Sequence, residues 1–266
     1  MKPKLHKSML GLYEKCPVAY EKRYVQGLRI PPGSAAIIGT GAHLSAAADL
    51  TSKRDTGSLL PDDQIADLAR DSTNGAWDKE GAYLSPQERF LGENKAKGEA
   101  VDEAIGLATL HHRKLAPSLS PLHIERPFTI ELNGFPVDLS GTIDLQTADG
   151  GLRDLKTRRA SPPSDFADYC MDLSCYGLAA KALDGQEPTA MFMDFLVKSK
   201  TPRLVTLEGH RTEGAYRAFL LRLEAVSHAI ESGSFPPCSP EHWMCSPTWC
   251  GYFEKCPYGR AARVTI

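Results

Sequence analysis

Between residues 122 and 157 the chain alternates β-favouring runs with two glycine turns, Asn133-Gly134 and Asp149-Gly150-Gly151. Glycine after Asn or Asp admits the positive φ that a tight reversal requires. The stretch therefore predicts an antiparallel meander with strands at 122–132, 135–147 and 151–157. The flanks read as helices. Ser8 is placed to cap a short helix carrying Leu12, Tyr13, Cys16 and Tyr20, which Pro17 should break or kink. Residues 31–41 read as a loop leading into a small-residue helix that contains His43, and 61–80 as a further helix. Ser85-Pro86-Gln87-Glu88 combines an N-cap, a proline at the first helical position and a capping-box glutamate, opening a helix expected to run to about Leu115. After the meander come a helix at 164–183, strands at 189–198 and 203–208, and a helix at 212–232. That order predicts an α/β fold in which a mixed central β-sheet is flanked by helices.

A chain of 266 residues is long for one compact domain and short for two, so a single elaborated domain with appended segments fits best. A domain of this size buries enough surface to need neither disulfides nor metal for stability. The net charge of −2 does not announce a nucleic-acid partner. Basic residues do cluster locally, at Lys2, Lys4 and Lys7, at Arg153, Lys156, Arg158 and Arg159, and at Lys198, Lys200 and Arg203. No apolar run approaches membrane-spanning length and the N-terminus lacks an apolar signal core. A soluble, cytoplasmic protein with no membrane partner is expected. In a reducing compartment seven cysteines should not form a disulfide framework, which makes their spacing informative.

The segment richest in chemistry runs from Gly141-Thr142-Ile143-Asp144 through the glycine turn to Asp154-Leu155-Lys156. Side chains alternate along a strand, so Asp154 and Lys156 share a face while Leu155 points to the opposite side. Asp144 lies across the turn and can join them. Two carboxylates and an ammonium suit phosphodiester hydrolysis: carboxylates hold Mg²⁺ or Mn²⁺, the metal activates water, and the lysine stabilises charge on the phosphate. Taken alone, D-x-K occurs often by chance and reads better as a surface ion pair.

The order of the surrounding motifs resembles the PD-(D/E)XK nuclease superfamily, in particular its RecB-like exonuclease branch. The Gly141-Thr142-Ile143-Asp144 strand precedes the Asp154-Leu155-Lys156 strand as in that family, and Gly39-Thr40-Gly41-Ala42-His43 matches its upstream histidine segment. Tyr176 matches the tyrosine of a Q-x-x-x-Y helix motif, although Asp172 stands where the family has glutamine. The string Ser8, Tyr13, Cys16-Pro17 and Tyr20 is similar to the family's opening, so the resemblance runs from about residue 8 to residue 258. It implies a restriction-endonuclease-like core with Asp144, Asp154, Lys156 and Tyr176 as catalytic residues and His43, Asp144 and Asp154 as metal ligands. Glu125, at the start of a strand, reads as an ordinary edge carboxylate in preference to one lining the groove.

Cys245-x₄-Cys250-x₅-Cys256 lies in a tail rich in proline and aromatics, far in sequence from Cys16. RecB-like nucleases with an iron–sulfur domain place one cysteine near the N-terminus and three near the C-terminus, usually with C-x₂-C as the first step. The resemblance implies a 4Fe-4S cluster on Cys16, Cys245, Cys250 and Cys256, with Cys238 as a possible substitute ligand; four thiolates also suit structural Zn²⁺. Cys170 and Cys175 read as core residues. The expected organisation is a nuclease domain with an N-terminal helical part over 1–234 and a cysteine-rich metal-binding tail over 235–266, packed back on Cys16.

The resulting expectation is a metal-dependent DNA nuclease, an exonuclease or end-processing enzyme serving recombination, repair or phage DNA processing. The chain has no G-x-x-x-x-G-K-[ST] phosphate loop, so a helicase or recombination protein would have to be a separate partner. The alternatives are a non-catalytic DNA-binding or assembly subunit that kept the fold, a nuclease acting on RNA, and a nuclease of a CRISPR adaptation complex. Oligomeric state is left open.

Overall fold

A computed structural model describes residues 2–259 of the chain. Strand β1 (Lys4–His6) leads into helices α1 (Lys7–Lys15) and α2 (Pro17–Tyr20). They part at Cys16, which is extended at φ −163° because the following proline disfavours helical geometry there. After a π-type turn at Glu21–Val25, three long helices follow: α3 (Ser34–Thr56), α4 (Asp62–Glu80) and, beyond the short α5 (Pro86–Leu91), α6 (Glu93–Lys114). The meander is β2 (Pro121–Ile130), β3 (Asp138–Thr147) and β4 (Leu152–Arg158). Then come α7 (Phe166–Tyr169), α8 (Met171–Asp184), β5 (Met191–Val197), β6 (Arg203–Glu208) and α9 (Glu213–Glu231).

Several boundaries differ from the sequence reading. The helix begins at Ser34 rather than after a loop reaching 41, because its small residues carry no breaker beyond Pro32-Gly33. The helix expected from 85 to 115 is two helices: the capping box at Ser85 forms, but Gly92 takes φ 90° and turns the chain before α6. The helix expected at 164–183 is likewise divided at Cys170, which is extended. The turn at Asn133-Gly134 is part of a longer connection, with β3 starting at 138 instead of 135. Strand β1 was not anticipated, since three residues carry no periodic signal.

The six strands form one mixed sheet in the order β1-β3-β4-β5-β6, with β2 also on β3. Pairing of β2 with β3 and of β3 with β4 is antiparallel, as the meander predicts. Pairs β1–β3 and β4–β5 are parallel. Strand β3 has β2 along one edge, while its other edge is shared by β1 at Asp138–Ser140 and by β4 only at Leu145 and Gln146. Beyond that short contact β3 and β4 diverge. The sheet therefore opens a fork beside Asp144.

Helices cover both faces. Leu10, Leu173, Phe219 and Leu223 of α1, α8 and α9 pack with Ile143, Met193 and Phe195. On the other face Ile37, Ile38, Trp77 and Leu107 of α3, α4 and α6 pack with Leu155 and Leu196. Alternation along β5 produces this split, with Met193 and Phe195 facing one layer and Leu196 the other. Helix α3 lies close to its neighbours: a Cβ at Gly41 would come within 2.1 Å of Thr73 Oγ1 and 3.2 Å of the Ala104 side chain. That tight seating fixes the height of His43 above the sheet. The tail from Ser232 to Gly259 has little regular structure and packs on Cys16 and Val18 through Cys238, Met244, Tyr252 and Cys256. The last seven residues of the expected tail, 260–266, lie outside the described residues.

Candidate active site

At the fork, the side chain of Asp144 takes over a role that backbone would otherwise fill. Its Oδ2 accepts the Leu155 backbone N–H at 2.9 Å, bridging the gap where β3 and β4 part. The register that pairs Ile124 with Leu145 and Arg126 with Ile143 sets Glu125 opposite Asp144. Glu125 has φ 49° and is, among the described residues, the only non-glycine in the left-handed region. A side chain tolerates that conformation rarely, and such strain concentrates where function demands a particular direction. Helix α3 brings His43 to the same point, with Nδ1 3.7 Å from Asp144 Oδ2. One ligand atom from each of His43, Glu125 and Asp144 lies within 4.8 Å of the other two, and among the described residues no other triple of such groups does so.

The electrostatics are those of anions held in too little water. Burial, then the Asp144 carboxylate, pushes Glu125 up to about 7. Burial also raises Asp144 against the pull of Lys156, and it raises Asp154 to about 7. His43 is lowered, first by burial and then by Lys156, and so favours the neutral, ligating form. A divalent cation would relieve the carboxylates' penalties together and find the imidazole already neutral. The donor set of one imidazole and hard carboxylate oxygens fits Mg²⁺ or Mn²⁺.

Asp154 and Lys156 share a face as the alternation requires, and Lys156 Nζ donates to Asp154 Oδ1 at 2.5 Å. Asp154 is fully buried, and its second oxygen, Oδ2, has no hydrogen-bond partner. A buried carboxylate oxygen left without a donor is costly, and it is what a metal or metal-bound water would satisfy. Asp154 thus adjoins the tight His43–Glu125–Asp144 group without belonging to it. Burial pulls Lys156 down, but Asp154, Asp172 and Asp144 outweigh it and keep the ammonium charged.

Helix α8 closes the site. Tyr176 is buried with its ring edge-on to Phe128, centroids 6.4 Å apart. Asp172 Oδ1 stands 4.0 Å from Lys156 Nζ and accepts from Lys7 Nζ of α1. Beside them opens a cavity of about 490 Å³ lined by His6, Lys7, Lys15, Lys156, Asp172 and Tyr176, in which three lysines face one carboxylate. Two other basic residues of β4 are engaged elsewhere. Arg153 makes two hydrogen bonds to Asp194, at 2.7 and 2.8 Å, and Arg158 lies over the rings of Phe166 and Phe195.

The structure brings Cys16, Cys245, Cys250 and Cys256 around one small cavity, together with Cys238. Cys238 contacts the sulfurs of both Cys16 and Cys245, and its thiol is pushed up to about 12 by burial and then by those neighbours. Cys170 and Cys175 are buried in the core, as expected of them.

The sequence matches the family model of the PD-(D/E)XK nuclease superfamily over residues 7–259. The chain belongs to that superfamily. The match covers every element described above except β1. A crystal structure of a candidate exonuclease from Eubacterium rectale superposes with a TM-score of 0.56, at 11% identity over 99% of this chain and 90% of that one. At that identity the likeness speaks for the fold alone. A further structure, SSO0001, aligns at 10% identity over 97% of this chain and 88% of that one, with a TM-score of 0.43. No curated protein matches by sequence. PD-(D/E)XK nucleases use divalent metals, and the His43–Glu125–Asp144 group is a possible site for one. Sequence reading noted Glu125 but preferred an ordinary edge carboxylate to a site residue. Its position opposite Asp144 depends on strand register across the 131–137 connection, for which the turn residues gave no count.

Proposed function

We propose that this chain is a metal-dependent deoxyribonuclease of the RecB-like branch, acting from DNA ends as an exonuclease. The observation that carries the reading is the pairing at one fork of a three-donor group, His43, Glu125 and Asp144, with Asp154 and a charged Lys156. His43, Asp144, Glu125 and Asp154 would hold Mg²⁺ or Mn²⁺, which when bound supplies Lewis acidity and a water of lowered pKa. Lys156 remains charged, so it acts as a cation that stabilises the phosphate and orients the attacking water, not as a base. Lys15 and His6 line the hollow through which a phosphodiester backbone would approach Lys156, while Lys7 in its wall is engaged by Asp172. Tyr176 walls that hollow and orders the end being cut. The reading places the enzyme in recombination, repair or phage DNA processing, alongside a separate helicase or recombination protein.

We further propose that the tail is a metal-binding unit, with Cys16, Cys245, Cys250 and Cys256 holding a 4Fe-4S cluster. What supports the reading is that these four residues, from opposite ends of the chain, line one small cavity, with Cys238 against Cys16 and Cys245. Four thiolates suit Zn²⁺ as well, so metal and sulfide content decides between the two.

The test is cleavage of linear single- and double-stranded DNA, labelled at either end, with Mg²⁺, Mn²⁺ or EDTA. Metal-dependent shortening from an end is expected. Lys156→Ala should lose about 100-fold or more of it while remaining folded, and Glu125→Gln should weaken metal binding by at least about tenfold in calorimetry. DNA binding without cleavage in any metal would favour a non-catalytic subunit. Undiminished cleavage by Lys156→Ala would sink the mechanism.

A further inference from the structure

The family's glutamine position is occupied here by an acid, and the structure shows what accompanies the exchange. Asp172 Oδ1 is shared between two ammonium groups, Lys7 in direct hydrogen bond and Lys156 at 4.0 Å. Its other oxygen, Oδ2, accepts from the Cys170 thiol at 3.3 Å. Its side chain is largely buried, at 15% exposure. Lys7 comes from the first turn of α1, far from Asp172 in sequence, and the two meet on the wall of the hollow beside Lys156.

An amide at this position could accept a hydrogen bond from Lys156 without drawing it away from Asp154. A carboxylate cannot be so neutral. At 4.0 Å in a partly buried setting its attraction for an ammonium is several times that in water, and it competes directly with Asp154. An unneutralised Asp172 would hold Lys156 back from the phosphate.

We propose that Lys7 and Asp172 form a positioning pair for Lys156. Lys7 takes up enough of the Asp172 charge that Lys156 stays directed at Asp154 and the adjoining substrate position, with Asp172 still beside its ammonium. Lys7 is required only because residue 172 is an acid. The proposal rests on the reading of Lys156 as the lysine that meets the scissile phosphate.

A double-variant cycle tests it. In the wild-type background Lys7→Met should lower kcat about tenfold with KM within about threefold, and Lys7→Arg should restore most of the loss. In the Asp172→Gln background, whatever cleavage that variant retains, Lys7→Met should lower kcat no further. The same cycle is read without catalysis in ¹³C-lysine NMR, with the Lys156 side-chain signal assigned by its absence in Lys156→Arg. Lys7→Met should displace that signal in the Asp172 protein and leave it in place in the Asp172→Gln protein. Independent, multiplying losses in kcat would overturn the pairing, as would a Lys156 signal indifferent to Lys7. Should Lys7→Met fail to fold, Lys7→Gln in both backgrounds gives the same comparison. If the wild-type protein cleaves nothing, the nuclease reading fails, and the NMR cycle still decides whether Lys7 and Asp172 position Lys156.

Discussion

His111 sits behind the proposed metal group, buried, with Nδ1 unpartnered, and lines a small cavity of about 30 Å³ together with His43 and Asp144. Burial lowers its pKa to about 4, with Asp194 and Asp49 pulling the other way. Unfolded, the same imidazole titrates near its ordinary value of about 6.5. Between the two values the folded state binds fewer protons than the unfolded one. The histidine's contribution is therefore fully present above about 6.5 and lost as pH falls toward 4, amounting to at most about 3 kcal/mol. Urea unfolding at pH 7 and pH 4.5 should show a smaller acid loss in His111→Leu than in the wild type; equal losses would mean that His111 is not held neutral. At this scale the sequence was legible wherever the relation is local. Asp154 and Lys156 share a face because two residues along any strand do so. Glu125 was not legible, because its partner Asp144 lies across a register that only the folded sheet sets.

The element that shapes the site is β3, and its constraint is Gly141. A Cβ there would lie 2.7 Å from Cζ of Phe128, whose ring in turn packs edge-on against Tyr176. Gly141→Ala should lower stability by about 1–3 kcal/mol through overpacking. The double variant Gly141→Ala, Phe128→Leu should recover part of that loss in denaturant midpoint. No recovery would show that the glycine serves the backbone and not the ring. The G-x-x-D pattern thus has a steric reason visible only when β2 lies beside β3. One other element-level feature was readable in advance: the capping box at Ser85 forms. The breaks at Gly92 and Cys170 were not, since one glycine in a long helical pattern is as often tolerated as used.

Across the whole molecule, the sulfurs of Cys16 and the tail cysteines meet although more than two hundred residues separate them. If they hold a cluster, it joins α1, which carries Lys7, to the C-terminal segment that packs over Cys16 and Val18. Anaerobically purified protein should be brown, with iron and sulfide in equal amounts. Cys256→Ser should lose that colour and melt several degrees lower than the wild type. A colourless protein carrying stoichiometric zinc would replace the cluster with a zinc staple, and a metal-free protein with an unchanged melting temperature would remove the staple altogether.

The sequence by itself determined the meander, its flanking helices and the Asp154–Lys156 pair, because turn chemistry, capping and strand alternation are local and act whatever the rest of the chain does. The tertiary structure alone decided that β3 and β4 diverge at Asp144, that Glu125 faces it, and that Lys7 answers the acid at position 172. Each of those depends on where distant segments pack. Burial and register, which turn ordinary carboxylates into a metal-binding candidate, come into being only when the layers close.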